Sequence, residues 1–268
     1  MTTTMTKPAM AGALPLPLAG RVGLVTGIAN DQSIAWGCAR AFRRLGAELA
    51  VTYLNDKARP HVAPLAKEVE AKVIAPLDLR TEGQLEAVFD RIEREWGKLD
   101  FLLHSIAFAP KDDLHGRVVD CSKAGFLAAM EVSCWSFIRM AKLAEPLMSD
   151  GGALFTMTYY GSHMVVPNYN VMGPVKAALE SAARYLAAEL GPKKIRVHAI
   201  SPGPLKTRAA SGIAYFDEML ERAQAKAPAR SQVSIDDVGI AVAYLATDAA
   251  KLITGETMYI DGGYHIID

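Results

Sequence analysis

The sequence predicts one doubly wound α/β domain, with a parallel sheet of about seven strands and helices on both of its faces. Three observations support this prediction. Short apolar runs alternate along the chain with longer stretches of helical spacing, which is the pattern of repeated β-α units. The strand-like runs are apolar at nearly every position, as in strands that are covered on both faces. The 268 residues contain no Pro/Gly/Ser-rich linker that would divide them, so one large core is expected.

In the first half of the chain, strands and helices alternate regularly. The predicted elements are strand Val22–Thr26, helix Ser33–Leu45, strand Leu49–Tyr53, helix Ala58–Glu70, strand Val73–Leu77, helix Glu82–Trp96 and strand Phe101–His104. Each strand is predicted because it is a short and nearly continuous apolar run. Each helix is predicted because apolar residues recur three or four positions apart, most clearly in Glu82–Trp96.

The second half continues the alternation. The predicted elements are helix Phe126–Met148, strand Ala153–Met157, helix Asn168–Leu190, strand Val197–Ile200, helix Ile235–Leu245 and strand Thr257–Ile260. The helix at Ile235 opens with two aspartates, and acidic residues favour a helix N-terminus. Residues 205–228 have weaker periodicity and follow a Pro-Gly-Pro turn, so we predict that they form a lid over a binding site.

Composition limits the kinds of partner. We predict that residues 20–268 form a single Rossmann-type domain and that residues 1–19 are a flexible leader. This leader has one lysine, and three prolines interrupt its apolar residues, which is unlike a secretory signal peptide. The balance of 29 basic and 29 acidic residues argues against nucleic acid as the main partner. No apolar run is long enough to cross a bilayer, so no membrane association is expected.

Cysteine and histidine usage adds to these limits. Cys38, Cys121 and Cys134 are odd in number and form no CxxC pair, so a reduced, cytoplasmic protein is predicted. The 6 histidines are scattered, with no HExxH pattern or ligand cluster, and no metal site is predicted.

The turn after the first strand is a candidate dinucleotide-binding loop. Gly27 permits a tight turn, and Gly37 permits close approach of the following helix. Ser33 stands at the expected helix N-cap, where its hydroxyl and the amides that follow, beginning with Ile34, are suited to a pyrophosphate. The loop lacks a GxGxxG pattern, so an ordinary βα turn is the alternative.

Residues at three further strand ends extend this candidate site. Leu54 stands where an acidic residue would bind the adenosine ribose, and since no arginine is present there either, NAD is favoured over NADP. Asp78 and Leu79 are placed to hydrogen-bond an adenine edge, with a helix cap as the alternative. Ser105 and Ile106 are placed along the cofactor, with a plain buried strand end as the alternative.

One tyrosine and one lysine are the candidate reactive pair. Tyr169 and Lys176 are seven positions apart, which on a helix places them on one face and about 10 Å apart along the axis. A lysine in such a position is otherwise a surface residue with a buried stem, and a tyrosine is otherwise a rim residue. In a dinucleotide-binding fold the pair becomes a candidate proton donor and ribose clamp.

Together with Tyr159, this Tyr–x6–Lys pattern resembles that of the bacterial NADH-dependent enoyl-acyl-carrier-protein reductases, which are divergent short-chain dehydrogenases/reductases. The resemblance runs from about Gly20 to Gly263. The matching strings are Ser33-Ile34-Ala35, Thr52-Tyr53-Leu54-Asn55-Asp56-Lys57, His104-Ser105-Ile106-Ala107-Phe108-Ala109-Pro110, Pro167-Asn168-Tyr169-Asn170-Val171-Met172-Gly173, Ala209-Ala210-Ser211-Gly212-Ile213 and Asp261-Gly262-Gly263. The departures are Leu54 for a frequent Gln, Ala107 for a frequent Gly and Pro174 for a Leu.

The resemblance implies NADH as the cofactor and an enoyl thioester, carried by acyl carrier protein, as the substrate. It implies that Tyr169 hydrogen-bonds the thioester oxygen as negative charge develops there, and that Lys176 holds the nicotinamide ribose. The other implied contacts are Tyr159 and Ala109 for the substrate, Leu205 and Thr207 over the nicotinamide, and Phe216 as an apolar wall within the lid. Tyr159 is also a candidate catalytic residue.

The resemblance further implies a homotetramer, and Lys206 with Arg208 would offer a basic patch to an acidic carrier protein. Two other functions remain open at this point. A carbonyl-reducing short-chain dehydrogenase would have Tyr–x3–Lys, but Gly173 occupies that lysine position. A non-catalytic NAD-binding protein would have no need of the Tyr/Lys pair.

Overall fold

The computed structural model of the chain describes residues 16–207 and 216–268. Its centre is a seven-stranded parallel sheet with the strand order β3-β2-β1-β4-β5-β6-β7. The strands are β1 (Val22–Val25), β2 (Glu48–Tyr53), β3 (Val73–Pro76), β4 (Phe101–His104), β5 (Gly152–Met157), β6 (Ile195–Pro202) and β7 (Thr257–Ile260). The predicted doubly wound fold is confirmed. Because the order reverses between β1 and β4, a crevice is expected at their carboxyl ends.

Helices cover both faces of this sheet. They are α1 (Ile34–Arg44), α2 (Arg59–Glu68), α3 (Gln84–Trp96), α4 (Lys111–Leu114), α5 (Lys123–Met130), α6 (Ser136–Ala144), α7 (Met172–Leu190), α8 (Phe216–Lys226) and α9 (Ile235–Ala246). One core lies between the sheet and α1, α2 and α9, and Val25 belongs to it. The other lies beneath α3, α5, α6 and α7, and Leu24 belongs to it. Within the described residues, no helix is both long and apolar enough to cross a membrane.

The predicted helix Phe126–Met148 is wrong as one continuous element. Between α5 and α6 lies a π-helical segment, Glu131–Trp135, and a 3-10 turn follows α6. The hydroxyl of Ser136 donates to the Val132 carbonyl (2.7 Å), and such bonds compete with the regular helical ladder. Pro146 in the 3-10 turn has no amide hydrogen to continue an α-helix.

The predicted start of the helix Asn168–Leu190 is also wrong, because α7 begins at Met172. Asn168 and Asn170 have φ angles of 64° and 42°, a left-handed conformation that interrupts a helix and that asparagine tolerates better than most residues. Tyr169 therefore lies in the turn before α7 and not on its face. The helical spacing predicted for Tyr169 and Lys176 does not hold, although both residues reach the same cavity.

Two predicted segments lie partly within the described residues. In the predicted lid, residues 208–215 lie outside them, while residues 216–226 form α8, a helix that the weak periodicity of the segment did not reveal. At the end of the predicted leader, Leu18 is fully buried and its amide donates to the Leu45 carbonyl (2.8 Å). The boundary between leader and domain stays a prediction.

Candidate active site

Two adjoining cavities open at the carboxyl ends of the central strands. One has a volume of about 660 Å³ and lies beyond β1, β2 and β3. The other has a volume of about 330 Å³ and lies beyond β4, β5 and β6. Residues 105–108, which follow β4, line both cavities. The two cavities thus form one elongated cleft at the place where the strand order reverses, which is where doubly wound sheets bind ligands.

The larger cavity brings together residues that the sequence places far apart. Its lining includes Gly27, Leu54, Asp78, Leu79, Ser105 and Ile106. Gly27 has a φ of +92°, and a Cβ at this position would lie 2.0 Å from the Ser105 carbonyl oxygen. Only glycine therefore allows the loop after β1 to lie against the loop after β4.

Ser33 is the N-cap residue of α1, as predicted, but its side chain bonds within the loop that precedes the helix. Its oxygen accepts hydrogen bonds from the amides of Ala29 (3.0 Å) and Asn30 (3.1 Å), and its hydroxyl faces the Asn30 Oδ1 atom (3.2 Å). Ser33 is buried, lines neither cavity and makes no side-chain cap bond to α1. It therefore shapes the loop between β1 and α1, while its neighbour Ile34 lines the smaller cavity.

Asp78 forms a close ion pair at the rim of the larger cavity. Arg80 donates from Nε (3.0 Å) and from Nη2 (2.8 Å) to its carboxylate. These hydrogen bonds lower the pKa of Asp78 below its usual range, against the opposing effect of its partial burial. The Arg80 guanidinium also lies 5.3 Å from the ring centre of Phe108, so it connects the loops after β3 and β4.

Several residues that line the larger cavity were not among the predicted site residues. These are Thr52, Lys57, His61, Arg80 and Val132. Arg80 directly follows the predicted pair Asp78-Leu79 at a strand end, which is the signal that identifies it. Val132 lies in the π-helical segment, where periodicity predicted an ordinary helix.

The smaller cavity collects the predicted reactive residues. It is lined by Tyr159, Tyr169 and Lys176, together with Ala109, Leu205 and Thr207. The rings of Tyr159 and Tyr169 meet edge to face, with 5.0 Å between their centres. Burial raises the pKa of both phenols, so both hydroxyls stay protonated near neutral pH. Each is therefore a hydrogen-bond donor there.

Two contacts hold Tyr169, which lies in the turn before α7. Asn170 Nδ2 donates to the Leu114 carbonyl (2.6 Å), which fastens this turn to the end of α4. On the other side, the backbone of Gly161 lies against the ring of Tyr169. A Cβ on Gly161 would lie 2.5 Å from the Cδ1 atom of Tyr169, so this close contact requires a glycine.

Lys176 is a buried amine that reaches the smaller cavity from the first turns of α7. The residue is 5% exposed, and its Nζ donates to the Met157 carbonyl (2.7 Å) at the end of β5. Burial lowers the pKa of Lys176 to about 8, while Cys134 and Glu180 act in the opposite direction. A small change in its surroundings therefore changes its charge near neutral pH.

Glu180 is a further residue that the sequence did not single out. It lies one turn after Lys176 on α7 and its side chain is 3% exposed. Its carboxylate accepts a hydrogen bond from Thr158 (2.6 Å) and lies 3.1 Å from Nε2 of His163. A glutamate among small apolar residues on the helix of Lys176 is the signal that would have found it.

The predicted lid contacts are only partly within the described residues. Arg208 and the side chain of Phe216 lie outside them. Lys206 forms an ion pair with Asp217 (2.7 Å), and both side chains are exposed, so this pair is expected to be weak and sensitive to salt.

Comparison with known proteins gives one consistent family. Residues 27–265 match the family model described as "Enoyl-(Acyl carrier protein) reductase". An NADH enoyl-[acyl-carrier-protein] reductase of Rhizobium meliloti is 46% identical over 92% of this chain and 91% of its own length. The corresponding Rickettsia felis protein is also 46% identical, over 93% and 96% of the two chains.

Solved structures of similar proteins agree with these matches. The Anaplasma phagocytophilum reductase in complex with NAD has a TM-score of 0.90 and 45% identity, and the match covers 94% of this chain and 96% of that one. The Bacillus cereus reductase with NADP+ and an indole naphthyridinone has a TM-score of 0.91 and 40% identity, covering 94% and 99% of the two chains.

Proposed function

The chain belongs to the enoyl-[acyl-carrier-protein] reductase family, and from that membership we propose how its residues carry out the reaction. The protein is an NADH-dependent oxidoreductase that reduces the trans-2 double bond of enoyl-acyl-carrier-protein thioesters in fatty acid biosynthesis. NADH, when bound, supplies the hydride for the β-carbon of the thioester. The observation that carries the residue assignment is the meeting of Tyr159, Tyr169 and Lys176 in the smaller cavity.

The shape and the donors of the cleft fit a dinucleotide. Gly27 has no Cβ, so the loop after β1 packs directly against Ser105 and both loops line the larger cavity, and the N-terminus of α1 offers amides that have no partner within the helix. We assign the adenosine half to the larger cavity and the nicotinamide half to the smaller one. The residues that would hold the cofactor are Gly27, Ile34, Leu54, Asp78, Leu79, Ser105, Ile106, Lys176, Leu205 and Thr207, with Ser33 acting through the shape of its loop.

Tyr169 is assigned to the thioester oxygen. Its protonated hydroxyl is a preorganised donor in a largely apolar cavity, and such a donor stabilises charge that develops on the substrate oxygen as the β-carbon is reduced. Tyr159 packs edge to face against Tyr169 and, with Ala109, is assigned to the acyl side of the pocket. Lys176 is assigned to the ribose hydroxyls of the nicotinamide half, because its ammonium has two further N–H donors besides the one bonded to the Met157 carbonyl.

The geometry disfavours a carbonyl-reducing dehydrogenase. Such an enzyme would carry its lysine at residue 173, where this chain has glycine. A Cβ on Gly173 would lie 3.1 Å from the Gly161 carbonyl oxygen. A larger residue there would therefore push on the 3-10 turn Tyr160–Ser162, whose backbone lies against the ring of Tyr169.

We also propose an oligomeric state and a cellular location for the protein. A homotetramer is supported by two apolar surfaces on opposite faces of the sheet. One comprises Leu127, Trp135, Ile138 and Tyr185, and the other comprises Ile240, Tyr244 and Leu252.

A cytoplasmic location is supported by the three free cysteines. For the carrier protein, Lys206 in its exposed pair with Asp217 remains a candidate contact, since a weak pair is easily exchanged.

Substitution of Tyr169 tests the assignment. Tyr169→Phe removes one hydroxyl and is expected to lower kcat for crotonyl thioester by about 100-fold, because an oxyanion donor is worth roughly that much. The NADH dissociation constant, measured by fluorescence titration, is expected to change less than about twofold. Tyr185→Phe removes the same hydroxyl from a tyrosine of α7 that lines neither cavity and should leave both quantities unchanged. Wild-type turnover in Tyr169→Phe, or equal turnover of acetoacetyl thioester by the native protein, would contradict the assignment.

A further inference from the structure

A buried carboxylate lies directly behind the candidate active site and has no part in the chemistry assigned above. Glu180 is one helical turn after Lys176, on the same helix. Its side chain is 3% exposed, yet it lines neither cavity. A carboxylate that is removed from water in this way is costly unless it is hydrogen-bonded or paired with a positive charge.

Two hydrogen-bonding partners of Glu180 fasten the 3-10 turn whose backbone lies against the ring of Tyr169. Thr158, at the end of β5, donates to Glu180 Oε1 (2.6 Å), and His163 Nε2 lies 3.1 Å from Oε2. These residues flank the 3-10 turn Tyr160–Ser162 and its neighbour Tyr159. One carboxylate on α7 therefore holds both ends of the segment.

This fastened segment is in contact with the reactive ring. Gly161, at its centre, lies so close to Tyr169 that a Cβ would fall 2.5 Å from the ring. Tyr159, at its start, meets the same ring edge to face. Movement of the segment would therefore move Tyr169 or leave its ring unsupported.

Glu180 also influences the charge of Lys176. Several titratable groups face either Lys176 or Glu180. They are Cys134 from the π-helical segment, His104 from β4, His163 from the end of the 3-10 turn, Tyr169 from the turn before α7 and Tyr259 from β7. Burial raises the pKa of the cysteine and of both tyrosines, and it lowers that of His104 to about 3, so these four groups are uncharged near neutral pH. Cys134 and Glu180 both act to raise the pKa of Lys176, and since the Cys134 thiol is uncharged near neutral pH, Glu180 is the negative group among these described residues that favours protonated Lys176 there.

We propose that Glu180 is a positioning residue, which keeps the Lys176 ammonium charged for binding NADH and fixes the Thr158–His163 segment against Tyr169. This inference rests on the proposed roles of Lys176 and Tyr169. It adds a residue that acts on NADH and substrate through its neighbours. Its two effects are separable, because the charge acts on Lys176 and the hydrogen bonds act on the segment.

The pH dependence of NADH binding tests the effect on charge. Glu180→Gln keeps the size of the side chain and an acceptor for Thr158 but removes the negative charge. If only protonated Lys176 binds well, native affinity falls as pH rises through about 8. In Glu180→Gln this fall is expected about one pH unit lower, so NADH binds about fivefold more weakly at pH 8 and nearly normally at pH 6. Fluorescence titration between pH 6 and 9.5 measures both.

Glu189→Gln is the matched control, because it makes the same change at an exposed position of α7. Its pH profile should superimpose on the native one. A Glu180→Gln profile that also superimposes, or a control that shifts equally, overturns the effect on charge.

Substitutions of His163 test the effect on position, and they keep this part testable if Glu180→Gln fails to fold. The His163 side chain is 58% exposed, so its replacement is expected to leave the fold intact. His163→Ala should lower kcat for crotonyl thioester about fivefold or more, with the pH profile of NADH binding unchanged. His163→Gln retains a donor and should restore most of the loss. A native kcat in His163→Ala, or no restoration of kcat in His163→Gln, overturns the proposed effect of Glu180 on the position of the Thr158–His163 segment.

Lys176→Met separates this inference from the proposed function. If the pH-dependent fall in NADH affinity persists without the lysine, the proposed role of Lys176 is wrong. If the fall disappears in Lys176→Met but is unmoved in Glu180→Gln, the role of Lys176 stands and the inference about Glu180 is wrong.

Discussion

At the scale of single residues, the site depends on two contacts of Tyr169 that the sequence pattern does not show. The ring of Tyr169 is placed by the bare backbone of Gly161 and by the two left-handed asparagines around it. Neither contact belongs to a helix face, so the helical geometry on which the seven-residue spacing was based does not exist. What the spacing predicted correctly is that Tyr169 and Lys176 reach one cavity.

Gly161→Ala is expected to lower turnover without removing any reactive group. The added methyl group would lie 2.5 Å from the ring of Tyr169, so the ring must move by a fraction of an ångström or more. Such a displacement of a positioned donor costs about 10- to 100-fold in kcat, while NADH affinity should stay nearly native. Steady-state assay and NADH titration check the two parts. Ser162→Ala, which adds no atom beside Tyr169, should behave as the native protein; a native kcat in Gly161→Ala would show that the contact is unimportant.

Some residues of the cleft could be predicted from the sequence, while the role of one residue behind it could not, and the difference has a physical reason. Asp78, Leu79, Ser105 and Ile106 could be predicted, because each directly follows a strand and parallel strands end at one edge. Its apolar neighbours on α7 mark Glu180 as unusual, but its role could not be predicted, because its partners Thr158 and His163 come from another part of the chain. Only the packing of the 3-10 turn on α7 brings these three residues together.

At the scale of elements, the position of the cofactor loop depends on how α1 crosses α9. The two helices touch through glycines. A Cβ on Gly37 would lie 2.1 Å from the Ile235 carbonyl oxygen, and a Cβ on Gly239 would lie 2.4 Å from the Gly37 carbonyl oxygen. Since α1 begins beside the loop of Gly27, a change in this crossing would move the N-terminus of α1 relative to the larger cavity.

Gly239→Ala is therefore expected to weaken NADH binding from a position that lines neither cavity. Overpacking at a helix contact costs about 1–3 kcal/mol, and the close approach to backbone atoms places Gly239→Ala in the upper part of this range, above the gain of about 1 kcal/mol from the better helix propensity of alanine. We expect a Tm lowered by about 2–6 °C and NADH affinity reduced severalfold. Scanning calorimetry and fluorescence titration measure these quantities. Gly191→Ala, at a glycine with no atom near its Cβ position, should lower neither; a Gly239→Ala protein with native affinity would mean that the loop does not follow the helix.

The sequence located every strand of the sheet but not every helix boundary. A buried parallel strand has one signature, an apolar run, and tertiary contacts seldom override it. The helix ends were set by interactions that periodicity does not contain. Two examples are the bond from Ser136 to Val132 beside the π-helical segment and the left-handed Asn170 before α7.

At the scale of the whole molecule, the two apolar surfaces lie on helices that cover opposite faces of the sheet. The first lies on α5 to α7, with Trp135 54% exposed, and the second includes α9, with Ile240 61% exposed. A surface that pairs with its own copy makes a two-fold dimer, and two such surfaces on one chain generate a closed tetramer with perpendicular two-fold axes. Large contiguous apolar patches mark association surfaces, which is why these residues are assigned to the proposed subunit contacts.

In the proposed homotetramer, charge placed on either surface is expected to halve the assembly. Trp135→Glu should leave dimers joined through the second surface, and Ile240→Glu should leave dimers joined through the first, because an unpaired carboxylate in an apolar interface is strongly unfavourable. The double variant should be monomeric. Sedimentation equilibrium measures the three masses. Val119→Glu, at an exposed apolar residue outside both surfaces, should keep the native mass. If both single variants keep the native mass as well, these surfaces do not join the subunits; a native monomer would refute the tetramer itself.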